Sequence, residues 1–324
     1  MKNFILAEPQ SLEQVCSFLP KESGKYFVMA GGTDLLAEIK DEIVEPEVVV
    51  DLKTIPNLSY IKKEKDGLHI GALTTIAELA EDLSVKQDYR ALYEAAKEVG
   101  TPQLRNVGTI SGNLCQRPRC WYYRDPQVQC RKKGGSRCFA FRGRNKYHAI
   151  LGGGICYIVH PSDLAPALIA LEAKVSILSP NGEKTIPLEE LYALPSKNVQ
   201  KETILKSNEV IKEVILPPLK KGEKSTYSKF KERGTWDFAV VSVAMKGTAS
   251  GKAFNEVKIV IGGVAPIPWR LFAAEAMIKG KTVTEKLVRQ AAREALKDAN
   301  PLEENGYKLE LVEVILYKTA LSLI

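Results

Sequence analysis

The sequence predicts an α+β fold in two unequal parts, and three observations carry that prediction. Short apolar strands alternate with short helices along the chain, at spacings too irregular for a regular doubly wound sheet. Pro217-Pro218 is followed by Lys220-Lys221-Gly222-Glu223-Lys224, the best linker in the chain. Beyond it come three strand-like segments and then three helix-like ones, the order of an antiparallel sheet with one face covered by helices. The boundary therefore falls between residues 1–219 and 220–324. A chain of 324 residues, 45% apolar and 26% charged, is long enough for two or three soluble globular units.

Taken in order, Ser11-Leu12-Glu13-Gln14 has capping-box spacing and opens a short helix through Cys16 and Leu19 that ends near Pro20. Cys16, on its apolar side, is a core residue. Tyr26 to Ala30 reads as a strand, Gly31-Gly32-Thr33-Asp34 as a turn and Leu35 to Lys40 as a helix. Val48 to Leu52 and Leu68 to Leu73 are strands, and Thr74 or Thr75 is placed to cap the helix that follows. Arg90 to Val99 is a helix closed by Gly100. Ala167 to Leu171 is a helix, and strands at Lys174 to Leu178 and Lys184 to Pro187 flank the turn Pro180-Asn181-Gly182-Glu183, a hairpin signal. A strand at Val210 to Leu216 ends this part. After the linker, Ser225 to Lys231, Ala239 to Lys246 and Val257 to Val264 read as strands. Arg270 to Lys279, Thr284 to Lys297 and Leu309 to Ile324 read as helices, with Gly280 a stop and Thr284 a cap. There is no internal repeat.

The N-terminal apolar run is too short for a secretion signal, and no window approaches eighteen apolar residues, so the expectation is a cytoplasmic protein with no membrane span. In that compartment clustered cysteines read as metal ligands or redox groups rather than disulfides. The net charge of +7 is local. Between Arg117 and Lys146 there are ten cations, Arg117, Arg119, Arg124, Arg131, Lys132, Lys133, Arg137, Arg142, Arg144 and Lys146, against Asp125 alone. Such a run is either a docking surface for an acidic protein or nucleic acid, or a solvated loop.

The same region, Gly108 to Pro166, holds five of the six cysteines. Cys120, Cys130, Cys138 and Cys156 are separated by nine, seven and seventeen residues. No C-x-x-C pair exists, so spacing disfavours a structural zinc site, whereas an iron–sulfur cluster accepts thiolates from a long loop. Spacing alone leaves a metal centre and incidental thiols both open. Gly31-Gly32 lies between a strand and a helix, an arrangement that aims backbone N–H groups at a phosphate or simply makes a tight turn. Gly108-Thr109-Ile110-Ser111-Gly112-Asn113 is a second such turn, and two fit a dinucleotide better than one. Asp163 either caps the helix after it or reaches a bound flavin. His69, His148 and His160 lack metal spacing and receive no role. Without G-x-S-x-G, H-E-x-x-H or a P-loop, the chain carries no motif for bond-breaking chemistry of its own.

Three motifs in order, Ala30-Gly31-Gly32-Thr33-Asp34-Leu35, Gly108-Thr109-Ile110-Ser111-Gly112-Asn113 and Ser162-Asp163-Leu164-Ala165-Pro166, resemble the FAD-binding subunit of the xanthine dehydrogenase family of molybdenum hydroxylases. The resemblance covers almost the whole chain. It implies a two-lobed, PCMH-like FAD-binding domain at 1–219, with lobes of about 1–56 and 57–219, followed by an α+β C-terminal domain of the CO dehydrogenase flavoprotein type at 220–324. Most members lack a cysteine-rich loop between the second and third motifs. The medium subunit of 4-hydroxybenzoyl-CoA reductase has one, with a [4Fe-4S] cluster, and this chain is similar at Asn113-Leu114-Cys115-Gln116, Arg119-Cys120, Cys138 and Cys156-Tyr157.

That likeness implies an insert at about 115–157 whose Cys120, Cys130, Cys138 and Cys156 hold the cluster, with Cys115 left out. It departs from the reductase in a shorter Cys120–Cys130 loop and a longer Cys138–Cys156 stretch with Gly152-Gly153-Gly154. For FAD it implies backbone donors at Gly31, Gly32, Thr33, Asp34, Thr109, Ser111 and Gly112, within the turns that also hold Ala30, Leu35, Gly108 and Asn113. Thr74 belongs to the same set, Asp163 would hold the flavin end, and Lys231 would face the pyrimidine edge. The implied partners are a molybdenum cofactor-binding large subunit, a small [2Fe-2S] subunit and an acidic ferredoxin-like carrier, in a dimer of heterotrimers. The implied role is an oxidoreductase subunit that transfers electrons, with the ten cations steering the carrier and substrate chemistry elsewhere. Two rivals are a plain FAD subunit whose insert is empty or binds zinc, and a metal-stabilised nucleic-acid-binding module.

Overall fold

The chain opens with β1 (Ile5–Ala7), α1 (Leu12–Phe18), β2 (Tyr26–Met29), α2 (Leu35–Lys40) and β3 (Val48–Asp51) in the computed structural model, which describes residues 1–20 and 24–324. The three strands form a parallel sheet of order β1-β3-β2, in which Val48 pairs with both Ile5 and Tyr26. Every residue of β3 is buried, as expected of a short apolar strand covered on both faces. Ser11 caps α1 as its spacing predicts, accepting the Gln14 N–H at 3.3 Å.

A five-stranded antiparallel sheet follows, built from β4 (Ile61–Glu64), β5 (Gly67–Gly71), β6 (Lys174–Ser179), β7 (Gly182–Pro187) and β8 (Val210–Leu216) in the order β4-β5-β8-β6-β7. Its last strand sits at the centre, so everything between β5 and β6 is an excursion from one sheet. The excursion holds α3 (Ile76–Glu81), α4 (Leu83–Asp88), α5 (Arg90–Glu98), α6 (Pro102–Arg105), α7 (Ile110–Leu114), α8 (Trp121–Arg124) and α9 (Leu164–Ala170). Thr75, not Thr74, caps α3, in a reciprocal capping box with Glu78. All seven residues of α9 are buried.

The C-terminal sheet, β9 (Glu223–Phe230), β10 (Val241–Ser250), β11 (Ala253–Gly262) and β12 (Trp269–Arg270), is antiparallel in the order β12-β11-β10-β9. Helices α10 (Phe272–Ile278), α11 (Glu285–Ala295) and α12 (Tyr307–Leu321) share a core with Val243, Met245, Ile259 and Ile261. The alternate residues Tyr227, Ala244 and Val260 belong instead to the core around α5 and α9. The sheet is thus covered on both faces, not one. β9 also begins inside the predicted linker, at Glu223.

Candidate functional site

A cleft of about 350 Å³ runs between the two glycine turns, lined by residues 30–35, by Gly108, Thr109, Ser111, Gly112 and Asn113, and by Asp163. The turns meet backbone to backbone: a Cβ on Gly31 would collide with the Val107 carbonyl. Gly32 has φ +77°, which only glycine adopts freely. Among the described residues, the N–H groups of Gly32, Thr33, Asp34 and Leu35 have no partner within the chain, because they precede the first bonded turn of α2. These are donors left over for an anion, and a phosphate diester suits them.

The second turn spends its donors differently. Ser111 gives both its N–H (3.2 Å) and its hydroxyl (2.7 Å) to the Ala72 carbonyl, and the Gly112 N–H goes to the Thr109 hydroxyl at 3.2 Å. Thr74 lies beneath this turn rather than in the cleft: its hydroxyl donates to the Tyr60 carbonyl at 2.9 Å, and its own carbonyl accepts the Ile110 N–H at 2.9 Å. The helix-capping alternative for Asp163 is not what the structure has. Ser162 accepts the Ala165 N–H at 3.0 Å, while Asp163 meets Lys229 Nζ at 2.8 Å and the Tyr227 hydroxyl at 2.6 Å. Burial raises the Asp163 carboxyl above its ordinary range, against the pull of Lys229. Lys231 pairs with Glu98 at 2.5 Å and is not among the residues lining the cleft. Lys231, the residue the sequence singles out, lies just past β9; sequence reasoning missed Lys229, whose place beside Tyr227 on one face of the strand was open to an alternation argument.

Cys120, Cys130, Cys138 and Cys156, spread over the whole insert, line one small cavity with Tyr122, Tyr123, Phe139 and His148. Cys115 faces the cleft instead. Burial raises the Cys120 thiol to about 12, although the N–H groups of Tyr123 and Tyr122 favour its thiolate. Cys138 and Cys156 share a hydrogen bond: the Cys156 thiol donates to Cys138 and lowers it, with the N–H groups of Tyr157, Ala140 and Phe141 adding to the effect, while Cys156 itself is raised. His148 Nε2 lies 3.2 Å from Cys120 Sγ, and burial lowers this imidazole to about 4, so it is neutral near pH 7. Among the described residues, the one group of three or more His, Cys, Asp or Glu donors within 4.8 Å of one another is the surface trio Glu64, Asp66 and His69, not the cysteines.

The insert has little regular structure but is no floppy loop. On one side Asn145 and Glu304 exchange bonds at 2.6 and 2.9 Å, and Lys308 Nζ, fully buried, donates to the carbonyls of Tyr147 (2.8 Å), His148 (3.1 Å) and Gly263 (2.7 Å). On the other, Asp34 takes Arg119 and Arg124, and Glu202 takes Lys132 and Arg117. Four of the ten cations therefore point inward, and the expectation of one ten-residue charged surface is corrected to an outer set in which Arg131, Arg137, Arg142 and Arg144 are exposed. Sequence reasoning missed the inward pairs because a basic run does not announce which acids, some eighty residues away, it will meet.

Comparison with known proteins gives the cleft its family. Residues 2–219 match the FAD binding domain in molybdopterin dehydrogenase, and residues 225–323 the CO dehydrogenase flavoprotein C-terminal domain. The chain is 35% identical over 317 residues to an aldehyde oxidoreductase FAD-binding subunit of Escherichia coli K12, covering 97% of this chain and 96% of that one. It is 28% identical to the carbon monoxide dehydrogenase medium chain of Hydrogenophaga pseudoflava, covering 91% and 87%. The solved carbon monoxide dehydrogenase from that organism superposes with a TM-score of 0.78 at 26% identity, over 99% of this chain and 98% of that one. Among the described residues no helix is long and apolar enough to cross a membrane. With the two family matches end to end and the free N–H groups of the first glycine turn facing the cleft between the turns, this chain belongs to the FAD-binding medium subunits of the molybdenum hydroxylase family, and is an oxidoreductase subunit.

Proposed function

We propose that this flavoprotein subunit also carries a [4Fe-4S] cluster on Cys120, Cys130, Cys138 and Cys156, and relays electrons in the manner of the medium subunit of 4-hydroxybenzoyl-CoA reductase. The observation that carries the reading is the convergence of four cysteines, drawn from a 37-residue stretch, on one cavity screened by Tyr122, Tyr123 and Phe139. Four thiolates on a single zinc would sit roughly 3.8 Å apart, given Zn–S bonds of about 2.3 Å. Among the described residues no three of these sulfurs lie within 4.8 Å of one another, a wider spread than a single zinc gathers.

The cofactors supply the redox chemistry when bound: FAD exchanges electrons singly or in pairs, and the cluster singly. The chain supplies the setting. Gly32 to Leu35 offer N–H donors to the pyrophosphate, Lys229 and Tyr227 orient Asp163 toward the flavin end, and the aromatic wall keeps water from the cysteines. Residues 1–219, in lobes of about 1–56 and 57–219, form the flavin-binding part on this reading, and 220–324 the C-terminal part. Relatives named as medium chains or FAD-binding subunits support partners in a molybdenum cofactor-binding large subunit and a small [2Fe-2S] subunit. The exposed arginines favour an acidic ferredoxin-like carrier. A dimer of heterotrimers in the cytoplasm completes the proposal.

Anaerobic purification with iron, sulfide, zinc and flavin quantitation, and EPR after reduction, tests it. The expected result is about four irons and one FAD per chain, with iron and its signal lost on Cys138→Ser while FAD stays. FAD without iron returns the chain to a plain flavin subunit, the reading that accounts equally well for the relatives. Zinc in place of iron makes the insert structural.

A further inference from the structure

Asp34 closes the first glycine turn, and its carboxylate is held entirely by the cysteine insert. It accepts the Arg117 N–H at 2.6 Å, the Arg124 guanidinium at 2.8 Å and the Arg119 guanidinium. No residue of its own lobe bonds that carboxylate among those described. One helical turn on, Glu38 accepts the Tyr123 hydroxyl at 2.7 Å. Burial alone would raise the Asp34 carboxyl, yet Arg119 and Arg124 outweigh it and keep the group below its ordinary value, hence ionised near neutrality.

The donors lie on either side of Cys120, and the Tyr123 and Arg124 N–H groups bond the Cys120 carbonyl at 3.0 and 2.9 Å. The segment that holds Asp34 is therefore the segment that places one of the four cysteines. Arg119 also stacks on Phe238 at 5.3 Å, at the mouth of the cleft. Its neighbour Trp236 is 61% exposed with φ +51°, an uncommon backbone for an aromatic residue. Asp237 fixes that loop by accepting the N–H groups of Glu232 and Arg233, each at 3.1 Å. One guanidinium thus joins the phosphate-facing turn, the cysteine cavity and the cleft mouth.

We propose that Arg119 and Arg124 are positioning residues of the flavin site, and that through them a filled cysteine centre and bound FAD stabilise one another. The mutual part rests on the cluster reading above; the positioning part rests only on the family's flavin cleft. If the centre orders Cys120, it orders the arginines and hence the turn whose N–H groups face the cleft. Linkage then requires FAD to strengthen equilibrium binding of the centre by the same factor that the centre tightens FAD.

The test compares FAD dissociation constants of the full chain, read from flavin fluorescence, before and after iron removal by a chelator, in wild type and in the R119Q/R124Q double variant. Stripping should weaken wild-type FAD binding by about tenfold, and bound FAD should raise by a similar factor the chelator concentration that removes half the iron at equilibrium. The double variant should bind FAD about tenfold more weakly even when loaded, and stripping it should change little more. R119K/R124K, which keeps both charges, should recover part of the loss, with circular dichroism reporting that each variant is folded. An unchanged FAD constant in R119Q/R124Q overturns the positioning role. An equal stripping ratio in wild type and double variant overturns the link between the sites. A chain purified without iron sinks the cluster reading and the link with it, while the arginine variants still decide whether the insert positions the flavin site.

Discussion

Lys229 in β9 and Lys231 just past its end stand two residues apart and meet different fates. Lys229 is buried against an equally buried Asp163, with Tyr227 as third partner. Removing it strands a carboxylate in the core, which costs about 3–5 kcal/mol where such pairs have been broken. Lys231 meets Glu98 at a partly exposed position, where a pair contributes about 0–1 kcal/mol. Lys229→Met should therefore lower the melting temperature markedly and reduce FAD content, whereas Lys231→Met should leave the melting temperature nearly unchanged. A thermal melt of both variants decides it, and equal losses would contradict this assignment. At this scale the sequence was legible where a residue's role is local. Gly31, Gly32 and the cysteines could be singled out because turns and thiol clusters are written in consecutive residues. Asp163's partners could not, since a strand pattern gives the face but not what the face meets.

The two glycine turns act as one element, since each is shaped by the other. Gly31 packs its backbone on the Val107 carbonyl, so the cleft between the turns has a floor that no side chain can enter. Gly31→Ala should force the turns apart and weaken FAD binding on the order of tenfold, the equivalent of about 1.4 kcal/mol. Gly234→Ala, where an added Cβ meets nothing within 4 Å, should bind as wild type. Flavin titration of both distinguishes a steric effect from a general loss of glycine. Most strands and helices of the chain were predictable to within a few residues because apolar runs and caps mark them. β4 was not, because Ile61-Lys62-Lys63-Glu64 is a charged edge strand that only its pairing with β5 reveals. Nor was α8, four residues in a loop without apolar periodicity.

Across the whole molecule the insert is a wedge seated on one side through Asp34 and Glu202 and on the other through Glu304 and Asn305, in the turn before α12, and Lys308 within it. Lys308→Met would leave the buried Tyr147 and Gly263 carbonyls without this donor, while Asn305 still serves His148, and should cost about 1–3 kcal/mol for each carbonyl; on the proposed cluster reading, iron is lost before the flavin on mild heating. Simultaneous release of both would place Lys308 in the general core rather than under the insert. The position of β8 has a consequence for how the chain is made. Its sheet cannot close until Val210–Leu216 has left the ribosome, well after Cys156, and the wedge cannot seat until Lys308 has followed. During synthesis the four thiols are thus exposed from their own emergence until Lys308 has followed. Oxidants and stray metal ions can reach them throughout that interval, so on the proposed cluster reading delivery of its iron has to be timed to the emergence of α12.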